Sequence, residues 1–291
     1  MKDRLIRMVE KSGYFRAFAI DSRNLVEEAR MIHGTSPVVT AGLGRALSAT
    51  AIMGAELKSQ QESISIQLKG DGPVGCIVAV SDCRSRVRGY VGEPIVDLPL
   101  KTNGKLDVGG SIGTGYLTVV HDMGLKEPYI GRVELQSGEI AQDIAYYYAT
   151  SQQTPSVVAL GVLVDRDYTV KVAGGYMVQL MPGCPEQIVS QLEKNVAVMP
   201  PVTQLLAEKY TLEALMGKLL QGVSFEVMDE IEPIYACNCS RERIERVLIS
   251  LGKKELTEMA REQGGAEIRC HFCNKAYQFA EEELRELARK I

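Results

Sequence analysis

Four of the seven cysteines stand in two tight pairs near the C-terminus, Cys237-Asn238-Cys239 and Cys270-His271-Phe272-Cys273. Thirty residues, 240–269, separate the C-x-C pair from the C-x-x-C pair. Tetrahedral zinc with Zn–S near 2.3 Å holds neighbouring sulfurs roughly 3.8 Å apart. A C-x-x-C turn closes to that distance. Side chains at i and i+2 of an extended segment share a face, so C-x-C closes to it as well. Two such clips make a closed four-sulfur site with no position left for water, which suits a structural or switch metal and not a hydrolytic one. One Zn2+ per chain, held by Cys237, Cys239, Cys270 and Cys273, is therefore expected. Four unrelated thiols are the weaker reading, because chance seldom sorts four of seven cysteines into two such clips. His271 is read as exposed beside the site, since four thiolates already fill it. Arg241, Arg243, Arg269 and Lys275 flank the pairs; near the metal they would offset its excess thiolate charge, and elsewhere they are solvated surface.

Zinc-held sulfurs are thiolates, the form that peroxide or hypochlorite attacks. A disulfide closing Cys237 on Cys239 would be a strained small ring, hence labile and reversible. Residues 237–291 are a length at which a hydrophobic core alone is marginal. Structural zinc contributes on the order of 10–16 kcal/mol to small modules, as much as the whole stability of many domains. Loss of the metal should therefore unfold this module. The four cysteines are expected to be redox-active as well as ligating, as in an oxidation-sensitive zinc latch.

The elements that must position these groups follow from periodicity. Residues 14–20, 63–68, 74–80, 87–91, 117–120 and 133–135 are strand-like runs split by Gly and Asp turns, and 157–164 with 168–180 form a hairpin. Helical stretches cover 24–33, 38–57 and 141–151, the first two apolar enough to lie between sheet layers. Strands in runs with helices interspersed indicate an α+β fold. After Pro182-Gly183-Cys184-Pro185 the texture changes. Apolar residues recur at helical spacing, first Ile188, Val189, Leu192 and Val196, then Leu212, Leu215, Met216, Leu219 and Leu220. Residues 185–236 carry eight acids and three bases, as a helical connector with apolar stripes. Those stripes pack on the first domain in at least one state; if the zinc module also covers them, its loss would bare a client-binding patch. Beyond Pro233, Ser240 caps a helix ended by Gly252. A short helix then stops at Gly264-Gly265, residues 266–279 form a hairpin with the C-x-x-C at its tip, and a last helix closes the chain. The expected domains are an α+β core (1–184), a helical linker (185–232) and a zinc-binding redox-switch domain (233–291).

Composition excludes several classes. Hydrophobic residues make up 45% and charged residues 24% of the chain, which is ordinary for a globular protein and rules out collagen-like or wholly disordered readings. The net charge of −4 argues against a general polyanion binder. The N-terminus mixes charges of both signs without the apolar run of a secretory signal. Arg45 and Glu56 interrupt the most membrane-like window, 37–57, which reads as a buried helix. A cytoplasmic location and no membrane partner are expected. Cys76, Cys83 and Cys184 sit among apolar neighbours and read as small buried hydrophobes.

The string from Cys237 to Arg243 and Cys270-x-x-Cys273, with Tyr277 and Phe279 beyond, resemble the redox-switched holdase chaperones of the thirty-three-kilodalton heat-shock family. Gln67-Leu68-Lys69-Gly70-Asp71-Gly72-Pro73 and residues 173–182 resemble the same family, in the same order along the chain. The resemblance implies a β/α/β-layered N-terminal domain with a buried helix, a helical linker and a small C-terminal zinc-binding redox-switch domain. It implies a holdase, not an enzyme, that is zinc-bound and inactive when reduced. Oxidation would pair Cys237 with Cys239 and Cys270 with Cys273, expel zinc, unfold the C-terminal part, and promote homodimerisation and binding of unfolding clients under oxidative and heat stress.

A nucleic-acid-binding zinc module is the main alternative, but residues 237–291 interleave eleven bases with ten acids and show no basic stripe or aromatic platform. A thiol–disulfide oxidoreductase would need the βαβ setting that is missing around Cys270. The glycines of 109–115 have the wrong order for a dinucleotide fingerprint and read as turns. The three tyrosines 146–148 read as packing.

Overall fold

The computed structural model describes residues 2–291, which divide into two compact units, one ending at Ala236 and the other spanning Cys237–Ile291. The first unit begins with β1 (Arg4–Glu10), β2 (Phe15–Asp21), α1 (Arg23–His33) and α2 (Pro37–Ala55). Next come β3 (Ser63–Gly70), β4 (Cys76–Asp82), β5 (Arg86–Val91), the single-turn α3 (Val108–Ile112), β6 (Gly115–Asp122) and β7 (Tyr129–Glu134). It ends with α4 (Ala141–Ser151), β8 (Ser156–Val164), β9 (Val170–Leu180), α5 (Glu186–Ala197), α6 (Val202–Ala207), α7 (Leu212–Leu219), β10 (Phe225–Ile231) and β11 (Ile234–Tyr235).

Two sheets flank the central helices. One runs β10-β1-β2-β9-β8 and the other β11-β5-β4-β3-β6-β7. Every pairing is antiparallel except β11 with β5. Between them α2 touches both sheets, and its burial explains its composition. A helix buried on all sides needs apolar and small residues around its whole circumference rather than one stripe, and α2 is buried from Val38 to Ala55 except at Arg45. Glycine is required where backbones close in: a Cβ at Gly44 would lie 2.6 Å from Val26 and 2.8 Å from Val162. The expected α+β class and the buried helix between sheets are both present. α2 is long and apolar enough to span a membrane by composition, yet 94% of its most apolar window is buried inside the protein.

The outer face of the five-stranded sheet carries α5, α6 and α7. Leu212, Leu215, Met216, Leu219 and Leu220 are all buried there with Ile6, Met8, Phe15 and Tyr176. The apolar stripe of residues 212–220 is thus covered by the sheet of its own unit. The expected connector is not helical throughout, because residues 225–231 form β10, which pairs with β1. Two smaller expectations also change. Residues 108–112 form a helical turn capped by Asp107, whose carboxylate accepts from the Gly110 N–H at 3.0 Å. Cys76, Cys83 and Cys184 are half-buried instead of buried. Tyr147 and Tyr148 do pack inside.

β10 pairs antiparallel with β1, and ion pairs line that edge of the sheet. Arg4 on β1 reaches Glu230 at 2.8 Å and Glu213 at 2.7 Å; Lys2 meets Glu232, Arg7 meets Asp229 and Lys11 meets Glu226. Most of the β10 residues are exposed, so apolar burial adds little, and exposed ion pairs are individually weak. Hydrogen bonds from Arg4 hold the carboxyls of Glu213 and Glu230 below the usual glutamate range. Their contribution to stability is present above the ordinary glutamate pKa, near 4.3, and is lost as pH falls through the depressed folded values. Acidification below about pH 4, or high salt, is expected to lower amide-exchange protection across β10 before the central strands β2 and β9.

The second unit contains α8 (Arg241–Leu251), α9 (Lys253–Gln263), β12 (Gly265–Arg269), β13 (Ala276–Ala280) and α10 (Glu281–Arg289). β12 and β13 form a hairpin in the register Ala266↔Phe279 and Arg269↔Ala276. Its small core gathers Leu248, Leu256, Ala260, Phe279, Leu284 and Leu287.

Candidate metal centre

Local chain chemistry sets each clip. Ser240 has extended dihedrals and its hydroxyl accepts from the Arg243 N–H at 3.3 Å, so α8 starts at once after Cys239 and the C-x-C segment stays outside it. At the hairpin tip the Asn274 N–H donates to the Cys270 carbonyl at 2.8 Å, and the Cys270 N–H donates to the Lys275 carbonyl at 3.0 Å. Asn274 takes φ of 56°, a left-handed conformation that asparagine tolerates better than most residues. That residue turns the C-x-x-C loop back into β13.

The folded unit brings all four expected cysteines together. Their sulfurs lie within 4.8 Å of one another, with Cys237 Sγ 3.6 Å from Cys270 Sγ and Cys239 Sγ 3.4 Å from Cys273 Sγ. These distances bracket the roughly 3.8 Å edge of a zinc–thiolate tetrahedron. Cys270 is buried and the other three are half-buried, so the set suits a closed, thiol-only metal site.

Three of the thiols differ in how readily they ionise. Burial pushes Cys237 and Cys273 up. Burial also opposes ionisation of Cys239, but the Tyr277 hydroxyl and the neighbouring thiols outweigh it and draw that group down to about 7. The Tyr277 hydroxyl donates to Cys239 Sγ at 3.1 Å. Sequence reasoning used Tyr277 as a landmark of resemblance and missed this contact; its signal was a polar-tipped aromatic four residues past the second clip, on the strand that clip feeds.

The flanking bases part company. Arg243 donates to the Asn238 carbonyl at 3.0 Å, inside the first clip. Arg241 lies 4.3 Å above the Phe279 ring and reaches Glu283, while Arg269 pairs with Glu267. Lys275 sits over the Tyr277 ring at 5.2 Å. His271 is exposed.

Outer hydrogen bonds to metal ligands commonly govern affinity by 10–100-fold. Tyr277→Phe keeps the ring in the core and deletes one donor to sulfur. It is expected to weaken metal retention by about tenfold, measured by competition with a chelator, with the folded spectrum of the loaded form unchanged.

Comparison with known proteins agrees across the chain. A family model described as Hsp33 protein matches residues 3–280. A relative named 33 kDa chaperonin from Acetivibrio thermocellus is 47% identical over 291 residues, covering 100% of this chain and 98% of the relative. Another of that name from Clostridium beijerinckii is 45% identical over 288 residues, covering 99% of this chain and 98% of the relative. The crystal structure of the 33 kDa chaperonin (heat shock protein 33 homolog) from Thermotoga maritima superposes with a TM-score of 0.92. It is 39% identical, with 100% of this chain and 99% of that one covered.

Proposed function

This chain belongs to the Hsp33 family, a chaperone family that binds unfolded client proteins, and from that premise we propose a redox-regulated holdase of the cytosol. In the reduced state Cys237, Cys239, Cys270 and Cys273 hold one Zn2+ and the protein is inactive. Oxidation closes Cys237 on Cys239 and Cys270 on Cys273, releases the ion and unfolds residues 237–291. The active form binds unfolding clients, dimerises and carries out no catalytic step.

The observation that carries this reading is the convergence of four sulfurs within 4.8 Å on a unit whose own core is small. The redox step balances as one zinc tetrathiolate, two H2O2 and four protons giving two disulfides, Zn2+ and four waters. Pairing within each clip is what the family resemblance implies.

Zinc and free thiols are counted before and after peroxide with mild heat, alongside apolar-dye binding and suppression of client aggregation. One zinc released with four thiols lost, and a gain in both activities, is the expected result. Unchanged dye binding and unchanged aggregation would overturn the reading.

A further inference from the structure

β11 is the shortest strand of the first unit, and it closes one edge of the six-stranded sheet by running parallel to β5. The Gly92 N–H donates to the Cys76 carbonyl, which sets the parity of the β4–β5 ladder. Arg88 and Tyr90 bond toward β4, and Val87, Gly89 and Val91 turn their N–H and C=O groups to the edge.

Three residues cover that edge. The Ile234 N–H donates to the Ser85 carbonyl at 3.3 Å, and the Ala236 N–H donates to the Val87 carbonyl at 2.7 Å. A side chain then continues the cover. The Tyr235 hydroxyl donates to the Gly89 carbonyl at 2.8 Å and accepts from the Gly89 N–H at 3.3 Å. His33 Nε2, at the end of α1, lies 3.1 Å from the same oxygen. A hydroxyl has one proton and two lone pairs, so these three contacts fill it. Tyr235 belongs to the inner core.

The position of this strap in the chain is a second, independent observation. Ala236 is the last residue of the first unit, and Cys237 is the first of the four clustered sulfurs. Lifting residues 234–236 from β5 moves a residue covalently joined to Cys237. A folded metal centre resists that movement, and an unfolded tail does not.

We infer that β5 is a strand-addition site, covered by residues 234–236, from which an extended segment of an unfolding client displaces this strap in the oxidised protein. The chemistry of the occupant follows from the one in place: an extended Ile-Tyr-Ala stretch with its aromatic hydroxyl against Gly89. A longer segment outcompetes the strap, because its backbone continues past Val87 to Gly89 and Val91, where the strap offers one hydroxyl. The inference rests on the proposed redox switch and deepens it, since the edge stays closed while the thiols hold their metal.

The test compares the full-length protein, reduced and zinc-loaded or oxidised, in the presence of a short synthetic peptide of alternating valine and threonine around one tyrosine. In the oxidised protein, saturating peptide is expected to speed amide exchange at Ile234 and Ala236 by about tenfold or more, while Val87 and Gly89 stay protected under their new partner. In the reduced protein all four amides should be unchanged. Tyr235→Phe keeps the ring and deletes the hydroxyl; it should raise the affinity of the oxidised protein for the peptide about threefold to tenfold and leave zinc retention by the reduced protein unchanged. Alanine in place of the peptide's tyrosine should weaken binding by at least as much. A peptide that fails to bind the oxidised protein, or binds with Ile234 and Ala236 still protected, overturns the site. An affinity that Tyr235→Phe leaves unchanged, or a strap displaced equally in the reduced protein, overturns it too. Exchange at Ile234 and Ala236 that speeds with protein concentration in the absence of peptide assigns the edge to a second copy, against the proposal. Zinc release and aggregation suppression are measured on the same samples: if both follow oxidation while the strap stays in place, only the β5 site fails; if neither does, the switch reading fails and this site with it.

Discussion

Stripping the metal with a chelator is expected to abolish amide-exchange protection throughout residues 237–291 while residues 1–236 keep theirs. The second unit has a small core, centred on Leu248, Leu256, Phe279, Leu284 and Leu287. Much of α8 and α9 is solvated, with Leu248 the buried residue of α8. A module of this size is marginal on apolar burial alone, whereas structural zinc supplies on the order of 10–16 kcal/mol to comparable modules. Cys270 lies in the same buried cluster as Tyr277 and Phe279, and the other three cysteines pack against it, so the four-sulfur cluster is part of the core and not an appendage to it. The first unit draws its stability from two sheets closed over α1 and α2 and holds none of the four ligands. Exchange measured residue by residue before and after chelation checks this. A tail that retains native protection without metal would remove the trigger from the proposed switch.

The four-sulfur cluster was legible because each half of it is local. Two short clips announce a metal by spacing alone, and the turn that shapes one of them is written in the asparagine that follows Cys273. α2 was legible from a long run of apolar and small residues interrupted by Arg45, and α7 from an apolar stripe at helical spacing. The strands at the start and end of the first unit were not. β1 is buried on both faces, with Leu5 in the inner core and Ile6 and Met8 under the outer helices. It therefore lacks the alternation that marks a half-buried strand. β10 fails for the opposite reason: it is largely exposed, and it pairs with β1 from the far end of the chain, where Glu226, Asp229 and Glu230 meet Lys11, Arg7 and Arg4. No window of sequence contains both halves of that pairing. The Tyr277 contact to Cys239 is likewise a product of the hairpin register, which brings β13 back past the clip.

Leu215→Ala is expected to give a reduced protein that already binds apolar dye and suppresses client aggregation. The stripe of residues 212–220 lies on the outer face of the five-stranded sheet, so any exposure of it requires the layer of α5, α6 and α7 to lift from that face. Leu215 is fully buried in the cluster that also holds Ile6, Phe15, Tyr176 and Leu219. Truncating such a leucine costs about 2–5 kcal/mol. The sandwich around α2 has its own separate core, so the loss falls mainly on attachment of the outer layer. At 1.4 kcal/mol per decade, the lifted population rises by roughly 30-fold to a few thousand-fold. α7 is a short helix of eight residues, and helices of that length are not stable alone in water, so the lifted layer presents its leucines as unstructured apolar chain. Leu125→Ala removes the same side chain from a site that is 66% exposed and should leave both readouts at the wild-type level. If reduced Leu215→Ala is destabilised yet binds no more dye than wild type, the layer opens only with the whole unit, and exposure of residues 212–220 cannot be the route to client binding.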